Sequence, residues 1–184
     1  PMNGSVAELD AISRRIRADV IEMSHRAQTA HLGSALSCAD ILTAAYWGAL
    51  SIDPSRPNDP DRDRFIFSKG HAAAAWYAVL CQRGFFSEDQ LVECANGSKV
   101  AGHPVRNSFP GIETSTGSLG HGFPMANGMA LSAKKDGKKH RVQIYGSGPI
   151  ILQALKAQEI LAARYDVSAD VWSATSYKQL RNDA

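Results

Sequence analysis

The chain has 184 residues, 44% hydrophobic and 21% charged, an ordinary globular balance that suits one domain or a domain with a short appendage. The 20 Lys and Arg against 18 Asp and Glu leave a net charge of +2, too little and too dispersed to suggest a nucleic-acid or membrane-surface role. Three cysteines (Cys38, Cys81 and Cys94) without CxxC or zinc-ligand spacing fit reduced thiols, Cys38 and Cys81 as small core residues. With no basic-then-apolar leader and no apolar run long enough to span a bilayer, the expectation is a cytoplasmic chain.

Residues 7–27 read as a helix, with Ile12, Ile16, Val20 and Met23 at three- and four-residue spacing. His31-Leu32-Gly33-Ser34 breaks it. Ser37 is placed to cap a second helix, with Asp40 in capping-box position, and that helix is expected to run to about Leu50 on a stripe of Ile41, Leu42, Ala45 and Tyr46. Residues 52–63 hold three prolines and many charges and read as a surface loop. Arg64–Phe67 is expected to be a short buried strand, and Ser68–His71 a turn into an Ala-rich helix over 72–83 that ends at Gly84. Ser87 with Gln90 opens a further helix.

Residues 95–118 are rich in Gly, Ser, Pro and Asn, a long irregular stretch of the kind that is functional or disordered. A helix is expected from Gly120 to Lys135, with Pro124 in its first turn. The one basic cluster, Lys134, Lys135, Lys138, Lys139, His140 and Arg141 around Asp136-Gly137, reads as a solvated turn. Val142–Tyr145 then reads as a strand, Pro149–Arg164 as a helix with Ile150, Ile151, Leu152, Leu155 and Ile160 on its apolar face, and Ala169–Trp172 as a strand. Strand and helix alternate, so the fold class is α/β with a mainly parallel sheet flanked by helices.

Three loops pair glycine with histidine: His31-Leu32-Gly33, Ser68-Lys69-Gly70-His71 and Gly102-His103-Pro104. Glycine lets a backbone approach a ligand closely, and histidine can donate to phosphate oxygens or exchange protons near neutral pH. Loops at the carboxyl ends of parallel strands converge on one crevice, so three of them suggest an anionic cofactor; the competing reading is that each histidine is a local capping or packing residue. A metal site on these histidines is disfavoured, because no pair has short-range ligand spacing. Thr114–Gly122, a polar glycine loop running into a helix, is either a second anion-binding segment or a plain helix-entry turn.

Residues from about 7 to 142 closely resemble the N-terminal, diphosphate-binding domain of transketolase. The resemblance is carried by HLGSALSCADIL (His31–Leu42), DPDRDRFIFSKGHAAAAWYAVL (Asp59–Leu80), AGHP (Ala101–Pro104) and GIETSTGSLGHG (Gly111–Gly122). Its style is most similar to the N-terminal subunit of split transketolases. The resemblance implies thiamine diphosphate with Mg2+ as cofactor, sugar phosphates as substrates, and transfer of a two-carbon ketol unit from a ketose to an aldose. It places His31 at the reaction centre, His103 on the donor hydroxyls and His71 on the cofactor's diphosphate or thiazolium. Gly117, Ser118 and Leu119 would line the cofactor, with Gly117 and Leu119 touching its aminopyrimidine through their backbone. The glutamate that activates the aminopyrimidine belongs, in the family, to another half, so a complementary pyrimidine-domain chain or a homodimer is implied and the isolated chain is expected to be inactive.

The resemblance breaks near residue 145. Where the family has Gly-Asp-Gly, whose aspartate holds magnesium on the diphosphate, this chain has Gly146-Ser147-Gly148. Serine carries no charge for a hard cation, so the metal site is read as lost and no residue is assigned as a metal ligand. From about Val142 onward, GSG, EILAARYDVSADVWS and TSYKQLRNDA are similar to the opening of the C-terminal domain of the homodimeric pyruvate dehydrogenase first component. The reading is therefore two pieces, 1–141 and 142–184, joined as a chimera at a locally similar strand-turn-helix unit. The Gly146–Gly148 loop reads as a plain tight turn in preference to the alternative, an anion site at the start of the following helix. Two other functions stand beside ketol transfer: a non-catalytic scaffold or assembly fragment, and pyruvate dehydrogenase-type decarboxylation.

Overall fold

A computed structural model describes residues 5–96, 102–135, 141–146 and 150–173. The chain divides into two compact units, Pro1–Phe123 and Pro124–Ala184.

The first unit is helical. Helix α1 (Val6–Ala27) starts at a capping box that the periodicity did not reveal: Ser5 accepts from the Glu8 amide while the Glu8 carboxylate accepts from the Ser5 amide. Ile16, Val20 and Met23 lie on its buried face, as their spacing predicts. The expected break at 31–34 is instead a five-residue helix, α2 (Leu32–Leu36), entered through His31 in a left-handed conformation. Ser37 does not cap the next helix. Its hydroxyl donates back to the Ser34 carbonyl at 2.9 Å, and Asp40 is held by Ser13 and Arg17 of α1. The second predicted helix is accordingly split into α3 (Ala39–Ala44) and a π-turn over Ala45–Ala49. Leu42, Ala45 and Tyr46 are buried as expected, whereas Ile41 is only half-buried.

The predicted strand at Arg64–Phe67 is not found. The segment has no regular structure and pairs with no strand among the described residues. The Thr116 hydroxyl takes the place of a ladder partner, donating to the Phe67 carbonyl at 2.7 Å. A 3-10 turn (Gly70–Ala72) leads into α4 (Ala73–Gln82), the buried centre of the unit. Trp76, fully buried, meets Phe65 and Phe67 edge-on and donates its indole N–H to the Tyr46 hydroxyl at 2.6 Å. Gly84 takes the left-handed conformation (φ 91°) that ends the helix. Helix α5 (Glu88–Asn96) opens with the predicted Ser87–Gln90 box.

Residues 102–118 form no helix or strand, as their composition predicts, but α5 reaches Asn96 and the next helix starts at Gly122 rather than at Gly120. They are ordered by backbone bonds from Asn107 to the Ile112 carbonyl (3.0 Å) and from Thr116 to the Pro104 carbonyl (3.2 Å), and by Phe109 stacked on Phe86. Arg62 and Arg64 both grip Glu113 (3.2 and 2.7 Å), tying this segment to the loop that follows the π-turn.

The division between the units falls in the first turn of α6 (Gly122–Lys135). In the second unit β1 (Arg141–Gly146) and β2 (Ser168–Ser173) pair in parallel, Ile144 opposite Val171, and α7 (Ile150–Tyr165) supplies the crossover that parallel strands require. The apolar face assigned to α7 is corrected. Leu152, Leu155 and Ile160 are exposed, and among the described side chains of α7 the buried ones are Ala154 and Leu161, with Ile144, Val167 and Ala169 also buried in this unit. The side chains of Ile150 and Ile151, the basic turn at 136–140 and the Ser147 position lie outside the described residues.

Candidate functional site

The three glycine-histidine loops converge. His71 meets His103 edge-on with ring centroids 4.6 Å apart and meets His31 edge-on at 4.8 Å; His31 and His103 are 6.3 Å apart. Chain separation made this contact invisible to local pattern, since the loops lie on three different connections of the first unit.

Each imidazole is held differently. His31 stands at the entrance to α2 with φ 73°, a conformation that costs a non-glycine residue about 1–2 kcal/mol, and its side chain makes no capping bond. It is exposed. His71 sits inside the 3-10 turn and is half-buried. His103 precedes the buried Pro104, and its carbonyl accepts from the Tyr77 hydroxyl at 3.3 Å.

The fourth wall is the segment 116–122. A Cβ on Gly70 would lie 2.6 Å from the Thr116 carbonyl oxygen, and one on Gly117 would lie 3.3 Å from the His103 ring. Only glycine permits backbone to approach backbone this closely, so the loop before α4 and the TSTGS segment are packed in direct contact. Gly33 and Gly102, by contrast, face nothing within 4 Å, and the protein's own packing does not demand them. Ser118 is exposed, and Leu119 is 71% exposed beside this wall.

The electrostatics suit a neutral imidazole at the centre of the cluster. Burial lowers the His71 pKa from its ordinary 6.5, and His103 and His31 lower it further because two imidazolium charges repel. The His71 Nδ1 is buried and has no hydrogen-bond partner among the described residues. Such an orphaned polar atom is rare in a folded interior and fits a ligand oxygen that would satisfy it. Among the described residues no group of three His, Cys, Asp or Glu is arranged to hold a metal ion.

Sequence reasoning missed Lys69 and Thr116. Lys69 was present in the Ser-Lys-Gly-His loop, but nothing local shows that its ammonium reaches Ser34, Ser37 and Cys38. Thr116 is buried and bonds Phe67 across 49 residues.

A helical unit whose glycine loops gather three histidines beside a close-packed glycine segment has the character of a cofactor-binding domain. Residues 9–143 match the family described as transketolase, thiamine diphosphate binding domain, and the chain belongs to that family. Residues 128–184 also match the transketolase-like TK C-terminal domain, so the two matches share 128–143. The chain is 39% identical over 146 residues to a subunit of the apulose-4-phosphate transketolase of Actinobacillus succinogenes, covering 78% of this chain and 53% of that protein. It is 38% identical over 123 residues to a 6-deoxy-6-sulfo-D-fructose transketolase subunit of a Clostridium species, covering 66% and 44%. The transketolase of Leishmania mexicana superposes with a TM-score of 0.70 at 25% identity, covering 90% of this chain and 27% of that one. The chain spans about half the length of the apulose-4-phosphate transketolase subunits that it matches.

Proposed function

We propose that the chain contributes the diphosphate-binding side of a thiamine-diphosphate-dependent site that moves a two-carbon ketol unit from a ketose phosphate to an aldose phosphate, together with a complementary pyrimidine-domain chain. The observation that carries this reading is the convergence of His31, His71 and His103 with the orphaned Nδ1 of His71 at its centre. Two of the similar proteins are named as subunits of transketolases, which supports a two-chain arrangement.

When bound, thiamine diphosphate supplies the electron sink for breaking and remaking the ketose carbon–carbon bond. In this reading His71 satisfies its open Nδ1 on the cofactor. His103 and His31 donate to substrate hydroxyl and carbonyl oxygens and exchange protons there. Gly117 brings its backbone, with Ser118 and Leu119, against the aminopyrimidine. Leu119 offers an exposed apolar surface for that ring.

The magnesium that accompanies this cofactor is not supported by the residues present. Ser147 stands at the position where the resemblance expects aspartate, and no step is assigned to a metal. The same proposal takes 1–141 and 142–184 as pieces of different parentage, placed in the cytoplasm, the first piece contributing helices and loops of a mainly parallel α/β domain. The serine also favours a second reading, a scaffold that keeps the cofactor fold without turnover.

The test is turnover with the second subunit of a related split transketolase. Ketose phosphate cleavage with an aldose phosphate acceptor supports ketol transfer. Pyruvate consumption instead assigns the site to decarboxylation, and turnover of neither leaves the scaffold.

A further inference from the structure

We propose that Lys69 is the positioning residue that holds His31 against His71, an inference that rests on the cofactor reading above. The Lys69 ammonium donates to the Ser37 hydroxyl at 2.9 Å, the Ser34 carbonyl at 3.1 Å and the Cys38 sulfur at 3.4 Å. All three acceptors are uncharged: Ser34 lies within α2, and Ser37 and Cys38 directly follow it. Among the described residues no carboxylate pairs with this half-buried cation.

The placement has a mechanical consequence. Helix α2 is only five residues long, too short to persist on its own hydrogen bonds. Its apolar anchoring is slight: Ala35 is its one buried residue, and Leu36 packs half-buried against the core. At its start stands His31, with a positive φ and no side-chain capping bond. Lys69 lies two residues before His71 in the same loop, so one side chain joins the two loops whose imidazoles meet at 4.8 Å. A cation at the carbonyl end of a helix is also favourably placed against its dipole. Three charge-assisted bonds converging on one nitrogen add direction to these few apolar contacts.

The experiment compares imidazole carbon-bound proton signals in magnetic resonance spectra of the wild-type chain, Lys69→Met and Lys69→Arg. The His31 signal is identified by its loss in His31→Gln. Thiamine diphosphate titrations run in parallel. Lys69→Met is expected to move the His31 and His71 signals and to weaken cofactor binding about tenfold, the scale of one lost charge-assisted hydrogen bond. Lys69→Arg is expected to return the signals toward wild type. Imidazole signals in folded Lys69→Met that coincide with wild type would overturn the inference. If Lys69→Met does not fold, Ser37→Ala removes one acceptor alone and is expected to move the His31 signal; an unmoved signal there overturns it equally. Failure of the wild-type chain to bind the cofactor would instead strike the cofactor reading, while the imidazole comparison still decides the role of Lys69.

Discussion

The two units bury their apolar residues in different ways. In the first, Trp76, Tyr46, Phe65 and Phe67 close on one another around α4, and the loops that leave this core carry every residue of the candidate site. In the second, a two-strand sheet lies with a helix in which, among the described side chains, Ala154 and Leu161 are buried while Leu152, Leu155 and Ile160 stay exposed. Loops can be held in contacts as close as those at Gly70 and Gly117 when the core beneath them is dense. The first unit has that foundation.

This contrast can be broken most severely at its centre. Trp76→Ala removes a fully buried ring and the partner of the Tyr46 hydroxyl, and is expected to cost about 3–5 kcal/mol in a urea titration. A loss under 1 kcal/mol would mean that the aromatic cluster is not the foundation described. Next is Gly70→Ala, whose methyl would press on the Thr116 carbonyl. Forcing those backbones apart is expected to cost about 1–3 kcal/mol and to abolish cofactor binding together with it. Binding that survives unchanged would detach the TSTGS segment from the site. Glu113→Gln leaves Arg62 and Arg64 without their shared carboxylate, with an expected loss of about 1–3 kcal/mol by thermal melting.

A subtler effect follows from pH. The folded His71 pKa lies below the ordinary 6.5, so the unfolded chain takes up this proton first. The stability that His71 contributes is therefore complete above pH 6.5 and is lost as pH falls from there through the folded value. His71→Gln should flatten this part of the stability profile; an unaltered slope would contradict the packed imidazole cluster. The smallest effect is reserved for the second unit. Leu152→Gln on the exposed face of α7 should change stability by less than about 0.5 kcal/mol, and a larger loss would show that this face is covered.

Much of this was legible in the sequence where the cause is local. The spacing of Ile16, Val20 and Met23, the Ser87–Gln90 box and the glycine end at Gly84 each act within a turn or two of chain, and each was found. The misreadings share a different cause. Arg64–Phe67 had strand composition, but its carbonyl partner is a threonine side chain 49 residues away. Ser37 had the right residue type for a cap, but Lys69 and the Ser34 carbonyl claim its hydroxyl. The expected α7 stripe follows hydrophobicity, whereas Ala154 and Leu161 are buried and Leu152, Leu155 and Ile160 are exposed. The histidine loops could be named from their composition, but their meeting depended on packing between distant segments.

The most direct test of the central claim is a calorimetric titration of thiamine diphosphate, with and without magnesium, into the purified chain and into His71→Gln. The account predicts saturable binding to the wild-type chain that is lost in the variant. No heat with the wild-type chain under either condition, or equal binding by the variant, would contradict it.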